Sequence, residues 1–136
     1  MAEQRRAAVF AVYQHESTGR PLPELLGDRA GPYTRALAER VLANAARLDE
    51  LIDRHAHGWS VDRIHPLERA ILRVAAQEIV EPLRDGTASP IPPEGAIEEA
   101  VRAADRYCES GAPAFVNGIL NAIYEDCAKI GRQKKG

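Results

Sequence analysis

Apolar residues along this chain recur mainly at three- and four-residue spacings, the period of a helix with one buried face rather than of a strand. In residues 4–15 Ala8, Val9, Val12 and Tyr13 share a face behind Arg5 and Arg6, and Gly19, Pro21 and Pro23 end the pattern. Gly31-Pro32 opens a second segment with Leu37, Val41, Leu42, Ala45, Leu48, Leu51 and Ile52 on one side. It predicts a single helix up to Gly58, the longest of the protein. SVDRI at 60–64 predicts a short turn before Pro66, a residue suited to the first position of a helix. Leu67, Ala70, Ile71, Val74, Ala75 and Ile79 then form one stripe, predicting a buried central helix that stops at Pro82. Residues 82–93, PLRDGTASPIPP, hold four prolines and one glycine and predict a long loop. From Pro93 onward Ile97, Ala100, Val101, Ala104 and Cys108 point inward, until Ser110-Gly111 interrupts.

The stretch FVNGIL at 115–120 conflicts with this picture, because Asn-Gly between apolar residues is a strong hairpin signal. The surrounding pattern decides the matter. Val116, Ile119, Leu120, Ile123, Cys127 and Ile130 keep a helical period, whereas alternation fails at Ile119-Leu120. A glycine inside a helix costs about 1 kcal/mol against alanine. Gly118 therefore either admits a neighbouring helix or belongs to a functional polar stripe, Asn117, Asn121 and Tyr124, beside an aromatic residue.

Composition agrees with an all-α fold. The 136 residues suit one domain spanning 1–136, and the 45% of hydrophobic residues include only 5% aromatics. No run approaches the ~20 apolar residues of a membrane span, and MAEQRR does not resemble a signal peptide, so a cytoplasmic protein without membrane association is expected. Cys108 and Cys127 lack metal or redox spacing and read as small core residues. The net charge of −2 is no signature of nucleic-acid binding; any basic surface must be local. Arg5, Arg6 and the terminal KIGRQKKG place positive charge at the two ends of the chain.

Catalytic chemistry finds no support. His55, His57 and His65 do not complete a zinc pattern, no nucleotide-binding or nucleophile motif occurs, and Glu98-Glu99 diverge around a helix. Neither an enzyme, nor a metal site, nor a cofactor is expected. Arg69 and Arg73 flank the central helix, while Glu78 lies close to its apolar stripe. A carboxylate so placed is either paired inside the bundle or reserved for a partner.

RRAAVFAVYQ at 5–14, Trp59 followed by ERAILRVAAQE at 68–78, AIEEAVRAADRY at 96–107 and FVNGIL at 115–120 come in the order and spacing of the NusB family of transcription antitermination factors. The resemblance covers essentially the whole chain, and ERAILR with a later FVNG is its specific pair. It implies two packed three-helix bundles with a short extra helix, and a non-catalytic function. NusB-like proteins bind boxA RNA of ribosomal RNA operons together with the ribosomal protein NusE, then join RNA polymerase with other Nus factors. Carried over by position, the RNA-binding residues are Arg5, Arg6, Tyr13, Phe115 and Asn117, with Phe115 as a stacking face and Asn117 as a hydrogen-bonding edge. The NusE-facing residues are Glu78, Glu81 and Arg84.

Family members usually carry a longer basic N-terminal extension. With Arg5 and Arg6 alone, fewer phosphates are contacted, which predicts weak RNA binding by the isolated chain and reliance on NusE. The alternative is a helical protein-interaction module, binding NusE or itself, whose RNA binding is weak or lost. Monomer and homodimer both stay open, since some NusB proteins dimerise over their RNA surface.

Overall fold

A computed structural model describes residues 2–58, 63–83 and 91–135, with side chains over 3–58, 63–83 and 91–129. Among the described residues the helices are α1 (Ala2–Thr18), α2 (Leu22–Leu26), α3 (Pro32–Ala43), α4 (Ala45–His55), α5 (Pro66–Val80), α6 (Pro93–Tyr107) and α7 (Ala112–Lys135). Pro32, Pro66 and Pro93 each open a helix, where a missing N–H costs nothing. No strand occurs among the described residues, and none of their helices is long and apolar enough to cross a membrane.

The helices form two triangles, α1/α3/α5 and α5/α6/α7, which share α5. The short α2 lies against α1 and α3, and α4 leans on α5 and α7. These are the expected two three-helix bundles, but they share the central helix, so two helices, α2 and α4, stand outside them rather than one. Sharing explains its composition. Besides its expected stripe, α5 buries Leu72, Ala76, Gln77 and Glu78, because neighbours cover it on almost every side.

Two expectations are corrected. The segment from Pro32 is not continuous: α3 ends at Ala43, and Asn44 (φ −104°, ψ 13°) separates it from α4. Asn44 Nδ2 donates to Oε1 of the fully buried Gln77 at 2.9 Å, and Gln77 Nε2 donates to the Glu81 carbonyl at 2.9 Å. A polar residue turned inward thus interrupts the apolar face. The longest helix is instead α7, with 24 residues. FVNGIL lies inside it, with Val116, Ile119 and Leu120 buried. The turn at 60–62 and most of the loop, 84–90, lie outside the described residues, as do Trp59 and Arg84.

Candidate RNA-binding surface

The site is built from the start of α7, where Pro113 sets the first turn and the period of Val116, Ile119 and Ile123 fixes which side faces out. Phe115 is half-buried against the core. With Ile64, His65, Tyr107, Cys108 and Ala112 it lines a cleft of about 630 Å³ between the end of α6 and the beginning of α7. Arg63, Glu68 and Glu109 stand around the same cleft. Burial pushes the Glu68 carboxyl upward, against the opposing pull of His65. Burial also raises the Cys108 thiol, and Cys127 shifts the same way; both cysteines are half-buried and packed against the core.

Asn117 looks elsewhere. Two residues on, it projects about 200° around the axis from Phe115 and lines a shallow groove with Glu94, Ile97, Val101, Arg102 and Asn121. Asn121 Nδ2 donates to Asn117 Oδ1 at 3.0 Å and to its carbonyl at 2.9 Å. The Tyr124 hydroxyl donates to Glu94 Oε1 at 2.9 Å, tying α7 to α6. That carboxylate lies below its usual range through its own backbone hydrogen bond and this hydroxyl. Between Phe115 and Asn117 the helix surface is bare: Ala114 is exposed, and a Cβ on Gly118 would meet nothing within 4 Å. Gly118 therefore does not admit a neighbouring helix.

The two N-terminal arginines part company. Arg5 is 7% exposed, and its Nε donates to Glu78 Oε2 at 2.7 Å. The Tyr33 hydroxyl donates to the same oxygen at 2.6 Å, and the guanidinium sits 5.3 Å from the Tyr33 ring centre. Burial raises the Glu78 carboxyl above its ordinary value, while Tyr33 and Arg5 hold it back; burial and Glu78 together push the Tyr33 phenol up. Arg6 is half-exposed and borders a small gap with Val9, Glu99 and Ala103, where α1 meets α6.

The NusB family profile matches residues 2–125. The chain belongs to the NusB family. It is 35% identical over 127 residues to the transcription antitermination protein NusB of Saccharopolyspora erythraea, covering 88% of this chain and 82% of that one. The NusB of Thermobifida fusca is also 35% identical, over 128 residues, covering 89% and 86% of the two chains. A solved structure of T. maritima NusB superimposes with a TM-score of 0.78 at 29% identity, covering 91% of this chain and 89% of that one. The fold is shared with a crystal structure of antitermination factors NusB and NusE in complex with dsRNA, at a TM-score of 0.76, 24% identity and 92% and 96% coverage.

Within this NusB-family chain the positions inferred by resemblance do not share one environment. Phe115, Asn117 and Arg6 are accessible in full or in part, although Phe115 and Asn117 line different hollows. Tyr13 is half-buried against the core and lines neither hollow. Arg5 and Glu78, expected as a phosphate contact and a partner contact, are both buried and hydrogen-bonded to each other inside the bundle. Glu81 stays on the surface, paired with Arg40 and 3.8 Å from Arg47. Of the histidines, His55 Nε2 lies 2.8 Å from Asp126 Oδ2, and no cluster able to hold a metal occurs among the described residues.

Sequence reasoning missed two features. Tyr107 is a large apolar residue left exposed at the rim of the Phe115 cleft, and only packing could reveal it. Arg73 holds Asp49 with two 2.6 Å hydrogen bonds and Glu16 with one of 3.0 Å, joining α5 to α4 and α1. Arg69 also pairs with Glu16. The i,i+4 spacing of these arginines marked a flank, but both acids are distant in sequence.

Proposed function

We propose that this chain is a transcription antitermination factor that binds boxA-type single-stranded RNA in nascent ribosomal RNA together with the ribosomal protein NusE, and joins the RNA polymerase antitermination complex with other Nus factors. The observation that carries the reading is Phe115, held half-exposed in a cleft at the start of α7 in a chain whose NusB relatives are antitermination proteins. An aromatic ring anchored by core packing accepts a base without having to be ordered first, and each stacked base is worth about 1–3 kcal/mol. Asn117 supplies amide hydrogen-bonding groups on the far side of the bare surface at Ala114 and Gly118, and Arg6 supplies positive charge. Glu81, at the exposed end of α5, and Arg84 form the NusE-facing side of the reading.

Phe115→Ala tests it. Affinity for a labelled boxA-type RNA should fall about 5- to 150-fold, with the melting temperature changed far less than by a core truncation. Unchanged affinity in the folded variant sinks the assignment of Phe115.

One observation favours a second reading. Arg5 is withdrawn into its pair with Glu78, which leaves Arg6 as the exposed cation of the N-terminal pair. A protein-interaction module with lost RNA binding would look like this. It predicts no discrimination between boxA-type and scrambled RNA, even with NusE present.

A further inference from the structure

Tyr107 closes α6 with 37% of its surface exposed, unusual among the large apolar side chains described here. It is not a loose side chain. The Phe10 ring of α1 meets it edge-on, with centroids 5.1 Å apart and planes at 84°, so one aromatic braces the other. The Arg106 guanidinium lies 5.4 Å from the centre of its ring. Phe10 stands one helical turn beyond Arg6 on α1, while Ala103, which borders the same gap as Arg6, stands one turn before Tyr107 on α6. Tyr107 also lines the cleft that holds Phe115.

Tyr107 thus connects the cationic start of α1 to the aromatic start of α7. We propose that Tyr107, braced by Phe10 and flanked by Arg106, is a second base-stacking platform, so that the cleft between Tyr107 and Phe115 takes unstacked bases of a single-stranded RNA whose phosphates run past Arg106 and Arg6. The inference rests on the RNA-binding reading and extends it to a residue outside the FVNG motif. Charge distribution sets the orientation of the strand. Glu68 and Glu109 border the cleft against one cation, Arg63, so phosphate is disfavoured there, while carboxylates accept hydrogen bonds from base amino groups; bases turn inward and the backbone stays at Arg106 and Arg6. The volume of about 630 Å³ accommodates more than a lone water-sized ligand, and two aromatic walls suit planar rings.

The test measures binding of labelled boxA-type single-stranded RNA to wild type, Tyr107→Ala, Tyr107→Phe, Arg106→Gln and Phe115→Ala, each checked for folding by thermal melt. Tyr107→Ala should weaken binding about 5- to 150-fold and Tyr107→Phe should restore it, because stacking needs the ring and not the hydroxyl. Arg106→Gln should flatten the dependence of log affinity on log salt by roughly 0.7, one phosphate contact on a single strand. If Phe115→Ala weakens binding while Tyr107→Ala and Arg106→Gln leave affinity and salt slope unchanged, the platform is overturned and the RNA-binding reading stands. If wild type itself does not distinguish this RNA from a scrambled one, the reading beneath it falls as well.

Discussion

Arg5 Nε donates to Glu78 Oε2 at 2.7 Å, joining α1 to α5 with both side chains almost wholly withdrawn from water. Two charges buried this way are held by each other and by the Tyr33 hydroxyl on the same carboxylate oxygen. Removing one strands the other inside the bundle without its charge partner, typically at a cost of about 3–5 kcal/mol, whereas replacing both by apolar groups of similar size is far less damaging. Urea unfolding should therefore find Arg5→Met and Glu78→Leu each strongly destabilised, and the double variant more stable than the sum of the two losses implies. Simple additivity would contradict the pairing. Loss of RNA binding in an Arg5 variant consequently reports on the fold, and Arg6→Ala is the cleaner probe of phosphate contact.

The same carboxylate gives a pH dependence with a definite sign. Burial raises the Glu78 carboxyl above its unfolded value despite Tyr33 and Arg5. Between the ordinary carboxylate value and the raised one, the native state holds a proton that the unfolded chain has lost, so this group's contribution to stability falls as pH rises through that window. Melting curves of wild type and Glu78→Gln should show a difference that shifts in favour of wild type on acidification. A shift in favour of the variant would mean that the Arg5 pair outweighs burial.

How far the chain could be read in advance follows from which interactions are local. The stripes of α1, α5 and α6 announce their buried faces because each is written at three- and four-residue spacing, and the Pro residues mark where helices begin. FVNGIL was resolved as helix by the same period. What the period could not supply was pairing across the bundle: Arg5 with Glu78 and Asn44 with Gln77 lie 73 and 33 positions apart. From the sequence alone Arg5 therefore reads as an N-terminal cation, and the segment from Pro32 to Gly58 reads as one helix. Phe115 and Asn117 were legible as a motif, but their separation on opposite sides of α7 needed the helix to be placed. Tyr107 carried no local signal at all, since its exposure depends on how α6 ends against α1 and α7.

Gln77 is the buried link between the α3/α4 break and the end of α5. Gln77→Leu keeps the volume and adds apolar character, yet it strands the Asn44 amide and the Glu81 carbonyl. Unmet polar groups cost about 1–3 kcal/mol each when fully buried, and less at Asn44 and Glu81, which are half-buried. Chemical denaturation should show a net loss of stability; a gain would mean that water replaces both partners without penalty.

Gly118 offers a change in the opposite direction. An added Cβ meets nothing within 4 Å, so Gly118→Ala relieves the helix cost of glycine without a clash. Thermal and urea unfolding should show a gain of about 1 kcal/mol. No gain would reveal a strain or contact at this position that the open surface does not display.

The central claim, a NusB-family chain that recognises boxA-type RNA with NusE, is tested most directly by titrating labelled boxA-type RNA and a scrambled control with the purified protein, alone and with cognate NusE, at two salt concentrations. Selective binding that is weak alone, strengthens with NusE and declines with salt is expected. Equal binding of the two RNAs with NusE present would contradict it.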